Sequence, residues 1–196
     1  VGDALTKKKY LTREEYFTLS ETANDKLEFE NGEVFAMSGG SFNHGLICNN
    51  VGRRLAELVD HKNCTAVGSD VKVEIATAES YVYPDAMVIC GPIEFTQNRN
   101  DSVKNPVLVV EVLSDSTESY DRGKKFKKYQ SLPSFREYIL ISQTEPLVET
   151  FFRQDENRWI YTITQGEDAV LSLSSMEGVI TLNEIYRKVD WAAIAE

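Results

Sequence analysis

The segment Val107-Leu108-Val109-Val110-Glu111-Val112-Leu113 constrains this chain more than any other. A near-continuous apolar run of this kind reads as a central strand covered on both faces, which requires a sheet with helices or further strands packed against it. One residue interrupts the run. Alternation places Glu111 on the face shared by Val107, Val109 and Leu113, and neither face gives its carboxylate an easy route to water. Burying an unpaired carboxylate is costly enough that the group either stays protonated or is compensated, so a cation or a metal is expected beside Glu111.

The remaining elements follow from local signals. Thr12-Arg13-Glu14-Glu15 has the form of a capping box and predicts a short helix starting at Thr12. Asn31-Gly32 separates two strand-like stretches, 27–30 and 33–37, and predicts a hairpin. Ser38-Gly39-Gly40-Ser41 breaks the chain, and apolar residues at helical spacing then predict a helix over about 43–61. Residues 67–75 alternate like one half-buried strand, with Val71, Val73 and Ile75 on one side and Asp70, Lys72 and Glu74 on the other. Strands are expected at 81–83, 86–90, 137–141, 148–153 and 158–164, a polar loop over 91–105, a basic helix over 121–131, and a short capped helix from Thr181. The fold class is α/β (mixed α+β), with a central mixed sheet flanked by helices. The 196 residues suit one domain spanning 1–196, with 1–9 as a flexible end.

Composition narrows the function. There is no apolar stretch of membrane-spanning length, so no membrane partner is expected. The three cysteines, Cys48, Cys64 and Cys90, are odd in number and form no CxxC pair. They are expected to be free, small and buried, in a reducing, cytoplasmic setting. A net charge of −10 means that any grip on nucleic acid must come from a local basic patch. P-loop, GxGxxG, HExxH and GxSxG patterns do not occur, which removes support for kinase, dehydrogenase, zinc-protease and α/β-hydrolase readings.

Three acidic positions stand out from the solvated majority. Asp85 follows Pro84 at the mouth of a strand, Glu111 sits within its apolar run, and Glu28 lies in the first arm of the hairpin with Glu30 on the same face. Carboxylates converging from adjacent strands form a hard oxygen site suited to Mg²⁺ or Mn²⁺. The alternative is a Glu111 paired with a buried Arg or Lys and an Asp85 that merely ends a turn. On the basic helix, Phe126 and Tyr129 mark the buried stripe and Lys125 reaches inward, with Arg122 flanking it. Lys124, Lys127 and Lys128 project to the other side, where together with Arg122 they are candidates for a phosphate-attracting patch. His44, after the Gly-Gly break, is placed to line a cleft, whereas His61 suits a helix C-terminus.

Taken together, Tyr83-Pro84-Asp85, Val109-Val110-Glu111-Val112-Leu113-Ser114 and Tyr120-Asp121-Arg122-Gly123-Lys124-Lys125 with Tyr129 resemble the Uma-type restriction endonucleases of the PD-(D/E)XK nuclease superfamily. Lys26-Leu27-Glu28, Asn31-Gly32-Glu33, His44, Pro133 and Glu137-Tyr138 extend the resemblance over most of the chain. It implies a restriction-endonuclease-like core and a metal-dependent phosphodiesterase acting on DNA, with Asp85 and Glu111 as metal ligands, Glu28 as an accessory acid, and Lys125 orienting or polarising the attacking water and steadying transition-state charge. The superfamily pattern places its lysine two residues after the glutamate, and here that position is Leu113. Lys125 resembles the lysine of members in which that residue has moved to the following helix. Restriction-type enzymes also make a homodimer an expectation. The competing readings are a nucleic-acid- or protein-binding module that kept the fold without the reaction, and a structural protein whose carboxylates are paired internally.

Overall fold

The computed structural model describes residues 10–37 and 39–191. The expected flexible end at 1–9 lies outside the described residues. Local signals start the elements where the sequence placed them. Thr12 caps α1 (Arg13–Thr22), accepting from Glu15 N while the Glu15 side chain accepts from the cap backbone. Asn31 and Gly32, at φ 48° and 87°, join β1 (Leu27–Glu30) to β2 (Glu33–Ala36) in an antiparallel hairpin. Ser41 caps α2 (Phe42–Val59), which buries Ile47, Val51, Leu55 and Val59.

Residues 67–75 form parts of two strands rather than one. β3 (Cys64–Gly68) and β4 (Lys72–Ile75) belong to different sheets, and β4 is buried on both faces. Its charged residues imitated a solvent-facing side because they are buried with partners. Lys72 Nζ lies 2.7 Å from Asp101, and Glu74 lies 3.0 Å from Arg13. β5 (Ser80–Val82) and β6 (Ala86–Cys90) follow, and the region expected as loop contains a short β7 (Ser102–Val103). β8 (Leu108–Leu113) is buried at every position. The basic helix starts and ends a little earlier than expected and is irregular: α3 (Glu118–Tyr120), a π-helical turn (Asp121–Lys125) and α4 (Phe126–Tyr129). β9 (Glu137–Ser142), β10 (Leu147–Arg153) and β11 (Trp159–Gln165) precede an unforeseen hairpin, β12 (Val170–Leu173) with β13 (Gly178–Thr181). α5 (Leu182–Ile185) starts from a second capping box, Thr181 with Glu184.

The central sheet is mixed, in the order β11-β10-β9-β8-β6-β3, with β8 and β9 parallel and the other pairs antiparallel. Alternate residues of its strands feed two cores. Val110, Val112, Val88 and Ile139 pack with α2, α5 and the β12–β13 hairpin. Val109, Leu113, Met87 and Leu140 pack on the other side, with Tyr129, Phe135 and residues of a five-stranded sheet ordered β2-β1-β5-β4-β7. Tyr83-Pro84-Asp85 links β5 of that sheet to β6 of the central one, so it passes through the junction between them.

The cysteines depart from expectation. Cys64 and Cys90 are directly opposite in the β3–β6 register and form a disulfide, which leaves Cys48 free. An odd count concealed the pair, because the two positions become neighbours only through antiparallel strand pairing across 26 residues. With the pair bonded, cysteine usage no longer argues for a reducing compartment. No helix among the described residues is long and apolar enough to cross a membrane.

Candidate functional site

Alternation along β8 settles the position of Glu111. It shares the face of Val109 and Leu113 and is 2% exposed, so its carboxylate points into the core between the two sheets. The compensating charge comes from the helical segment. Lys125, 3% exposed, places Nζ 2.9 Å from Glu111 Oε1, 3.6 Å from Asp121 Oδ1 and 3.8 Å from Glu28 Oε1. It also donates to the Tyr83 carbonyl at 3.0 Å, while Tyr83 N donates to Glu28 Oε1 at 2.9 Å. Tyr129 OH donates to Glu111 Oε1 at 3.3 Å. Leu113, the position where the superfamily lysine would stand, is buried apolar core.

Asp85 is fixed to the same strand. Its Oδ2 accepts from Val112 N at 2.7 Å, which holds the carboxylate beside the residue that follows Glu111. On its other side His44 Nε2 lies 3.5 Å from that same oxygen, and Cys48 Sγ lies 3.5 Å from His44 Nδ1. His44 and Cys48 are one turn apart in the first half of α2, so both face β6 and its approach. Among the described residues, His44, Cys48 and Asp85 are the group of three whose potential ligand atoms lie within 4.8 Å of one another. The Gly-Gly break has a steric role here, since a Cβ on Gly40 would come 2.7 Å from His44 Nδ1.

The charges of the cluster are strongly perturbed. Burial raises the proton affinity of Glu111 well above that of an ordinary glutamate; Lys125 opposes the shift, while Asp121 and Asp85 add to it. Burial also raises Asp121. Burial pushes Asp85 upward too, but the His44 hydrogen bond and charge, the Val112 N–H and Lys125 outweigh it and hold the group below the usual carboxylate range. His44 is raised by its hydrogen bond to Asp85, against burial. Burial would lower Lys125, yet Glu111, Glu28 and Asp121 win and keep it protonated. Burial holds the Cys48 thiol protonated, with Asp85 and Glu111 reinforcing it.

Four carboxylates thus gather around one lysine and one histidine, with an excess of negative charge in a poorly solvated place. Among the described residues the group that could hold a divalent cation is His44, Cys48 and Asp85, while Glu28, Glu111 and Asp121 surround the Lys125 ammonium beside it. Asp121 was missed as a site residue. The signal was its i,i+4 relation to the inward-facing Lys125, which puts both on one face of a helical segment.

The basic patch is smaller than expected. Lys124 and Lys127 project to solvent. Lys128 does not: it is 8% exposed, with Nζ 2.9 Å from Glu30 Oε2 and 2.9 Å from Tyr120 OH. The helical wheel assumed one covered side, but this segment lies between two sheets. Phe126 stacks on Tyr138 and contacts Phe151 and Trp159, while Lys128 reaches across to β1 and β5. Arg122 is partly exposed but already ion-paired with Glu118 and Glu149. Beside it, a cleft of roughly 270 Å³ opens at the carboxyl ends of β8 and β9, lined by Asp115, Glu118, Glu145 and Glu149 as well as Arg122. His61 stands exposed just past α2, beside Asp60, away from the cluster.

Comparison with known proteins places the chain. Residues 13–183 match the family Uma2, described as "Putative restriction endonuclease". The uncharacterized protein sll1609 of Synechocystis sp. is 37% identical over 169 residues, covering 86% of this chain and 96% of its own length. The uncharacterized protein slr1290 of the same organism is 34% identical, covering 90% of this chain and 92% of its own. A crystal structure from Anabaena variabilis, described as a putative nuclease belonging to DUF820, superposes with a TM-score of 0.71 at 14% identity, covering 88% of this chain and 96% of that one. At that identity the superposition speaks for the fold.

Proposed function

The chain belongs to the Uma2 family, and on that premise we propose that it is a Mg²⁺- or Mn²⁺-dependent endonuclease hydrolysing DNA phosphodiester bonds. One observation carries the reading. A lysine from the helical segment lies 2.9 Å from Glu111, and Asp85 is hydrogen-bonded to the backbone of the next residue, which supports a nuclease site whose lysine has left the strand. Asp85 and Glu111 would hold the metal, with Glu28 and Asp121 keeping Lys125 in place. A divalent cation bound there supplies Lewis-acid activation of water and neutralises charge that builds on the phosphate. Lys125, protonated by its three carboxylate neighbours, cannot serve as a base; its task is to steady negative charge on the phosphodiester. His44, half-buried against Asp85 and raised in proton affinity, is suited to hold a proton at Nε2 near the leaving or attacking oxygen. Lys124 and Lys127 are the solvent-facing lysines of the helix and the proposed phosphate contacts, with Arg122 joining only if it leaves Glu118 and Glu149.

Two copies acting together are part of the proposal. β11 is the last strand of the central sheet, seven residues without a charge, and Ile160, Tyr161 and Ile163 are exposed on it. Antiparallel pairing of two such edges about Thr162 sets Tyr161 of each copy opposite Ile163 of the other and Thr162 opposite itself, combinations that stabilise sheets.

Calorimetric titration with Mn²⁺ tests the reading, comparing the wild type with Asp85→Asn, followed by plasmid nicking. Binding and nicking that both disappear in the variant support it. Nicking that survives Asp85→Asn sinks it. A second reading, a DNA-binding module without catalysis, is favoured by the net charge of −10 and by the internal pairing of Arg122 and Lys128. It predicts DNA binding indifferent to metal and to Asp85.

A further inference from the structure

We propose that the metal site of this chain extends beyond its carboxylates to His44 and Cys48, and that it therefore takes a borderline-soft transition ion of the zinc and cobalt class in preference to Mg²⁺. The inference rests on the metal-site reading above, adds to it two ligands from α2, and takes His44 as a ligand in place of the proton carrier described there. His44 and Cys48 stand four residues apart on one helix face, a spacing that lets two side chains reach one ion. With Asp85 they bring a ring nitrogen, a sulfur and a carboxylate oxygen within 4.8 Å of one another. In a tetrahedral zinc site, with bonds of about 2.0–2.3 Å, neighbouring ligand atoms stand about 3.3–3.8 Å apart. Cys48 Sγ meets the ring at Nδ1 and Asp85 Oδ2 meets it at Nε2, each at 3.5 Å, so the His44 ring would have to turn to aim one nitrogen at an ion held by the other two.

The identity of the donors decides the class of ion. Mg²⁺ selects oxygen ligands and gives up its waters reluctantly, whereas thiolate and imidazole favour zinc, cobalt and their neighbours. The side chains of His44 and Asp85 are 18% and 16% exposed, so an ion can enter from solvent and keep a water as its fourth ligand. Gly40 supports the arrangement, since any side chain there would press on the His44 ring and displace it.

Cobalt titration followed by electronic absorption gives a direct readout. Of the three cysteines, two are bonded to each other, so in buffer without reductant a thiolate-to-cobalt band can come only from Cys48. The expected result is an intense near-ultraviolet band with the strong visible bands of a four-coordinate ion. Zn²⁺ should extinguish it at stoichiometric amounts, and excess Mg²⁺ should leave it in place. Cys48→Ser should remove the near-ultraviolet band, and Gly40→Ala should weaken cobalt binding by roughly tenfold through the displaced ring. Cobalt that binds with only the weak bands of a six-coordinate, all-oxygen site would overturn this inference and leave the nuclease reading intact. Failure of the wild type to bind either Co²⁺ or Mn²⁺ would overturn both. The wild-type spectrum is decisive by itself if either variant does not fold.

Discussion

Glu111→Gln and Lys125→Met remove the two halves of one buried ion pair, and they are expected to move stability in opposite directions. Lys125→Met leaves Glu111, Glu28 and Asp121 without the ammonium that now stands within 2.9–3.8 Å of each. Removing one partner of a buried pair costs about 3–5 kcal/mol, and three stranded carboxylates put this variant toward the upper end. Glu111→Gln instead removes the charge whose burial is least compensated. The amide oxygen can take the place of Oε1 as acceptor for Lys125 and Tyr129, and Lys125 keeps Glu28 and Asp121. Burial raises the proton affinity of Glu111 in the folded state, which fixes the sign of the pH dependence. Below the unfolded pKa of about 4.3 both states are protonated and the wild type bears no cost; above it, folding is penalised by about 1.4 kcal/mol per pH unit until the folded pKa is reached. The glutamine variant escapes that penalty. Its stability relative to wild type should therefore rise between about pH 5 and about pH 7, at no more than about 1.4 kcal/mol per pH unit, and exceed that of wild type at the upper end. Lys125 is charged in both states throughout this range, so its own titration gives the methionine variant no matching slope. Urea unfolding followed by circular dichroism at the two pH values measures both. A glutamine variant about as damaged as the methionine one, at roughly 3 kcal/mol or more with no pH dependence, would refute the idea that the Lys125 contact leaves the burial cost of the Glu111 charge only partly offset.

Two further outcomes follow from features outside the cluster. The Cys64–Cys90 bond closes a sequence separation of 26 residues, so reduction, or Cys64→Ser with Cys90→Ser, should cost about 3–4 kcal/mol by loop entropy. A urea midpoint unchanged by reductant would count against the bond. Ile163→Lys places a charge on the exposed edge strand and should shift the protein to monomer in analytical ultracentrifugation while leaving its fold and melting temperature nearly unchanged. A wild type that is already monomeric at high concentration would remove the edge-pairing proposal.

Much of the site was legible because it depends on a strong local signal. Glu111 interrupts an apolar run, and alternation alone assigns it to the face where Lys125 arrives. The hairpin at Asn31-Gly32 and both capped helices at Thr12 and Thr181 were equally readable, since each motif satisfies its own backbone locally. What escaped depends on partners distant in sequence. The stretch over 67–75 alternates perfectly, yet Lys72 and Glu74 are buried because Asp101 and Arg13 meet them. Lys128 looked solvated on a wheel, and Glu30, Ser80 and Tyr120, from other elements, take it inside. The Cys64–Cys90 bond required the register of an antiparallel pair that nothing in the spacing reveals.

The π-helical turn between Asp121 and Lys125 gives the segment a dependence on length that its composition does not share. A π turn holds one residue more than an α turn, and the residues on either side of it are in phase only while that extra residue is present. Asp121 and Lys125 face inward within this turn, 3.6 Å apart, and the phase is what sets Phe126 on Tyr138 a step later. Removing one residue would rewind the turn and rotate one half against the other by about 100°. The inward lysine and the aromatic anchor could then no longer be satisfied together. Gly123 makes the contrast plain, since a Cβ there meets nothing within 4 Å. A changed letter at that exposed position is nearly silent, whereas a missing one shifts the reading frame of the helix and carries Lys125 away from Glu111.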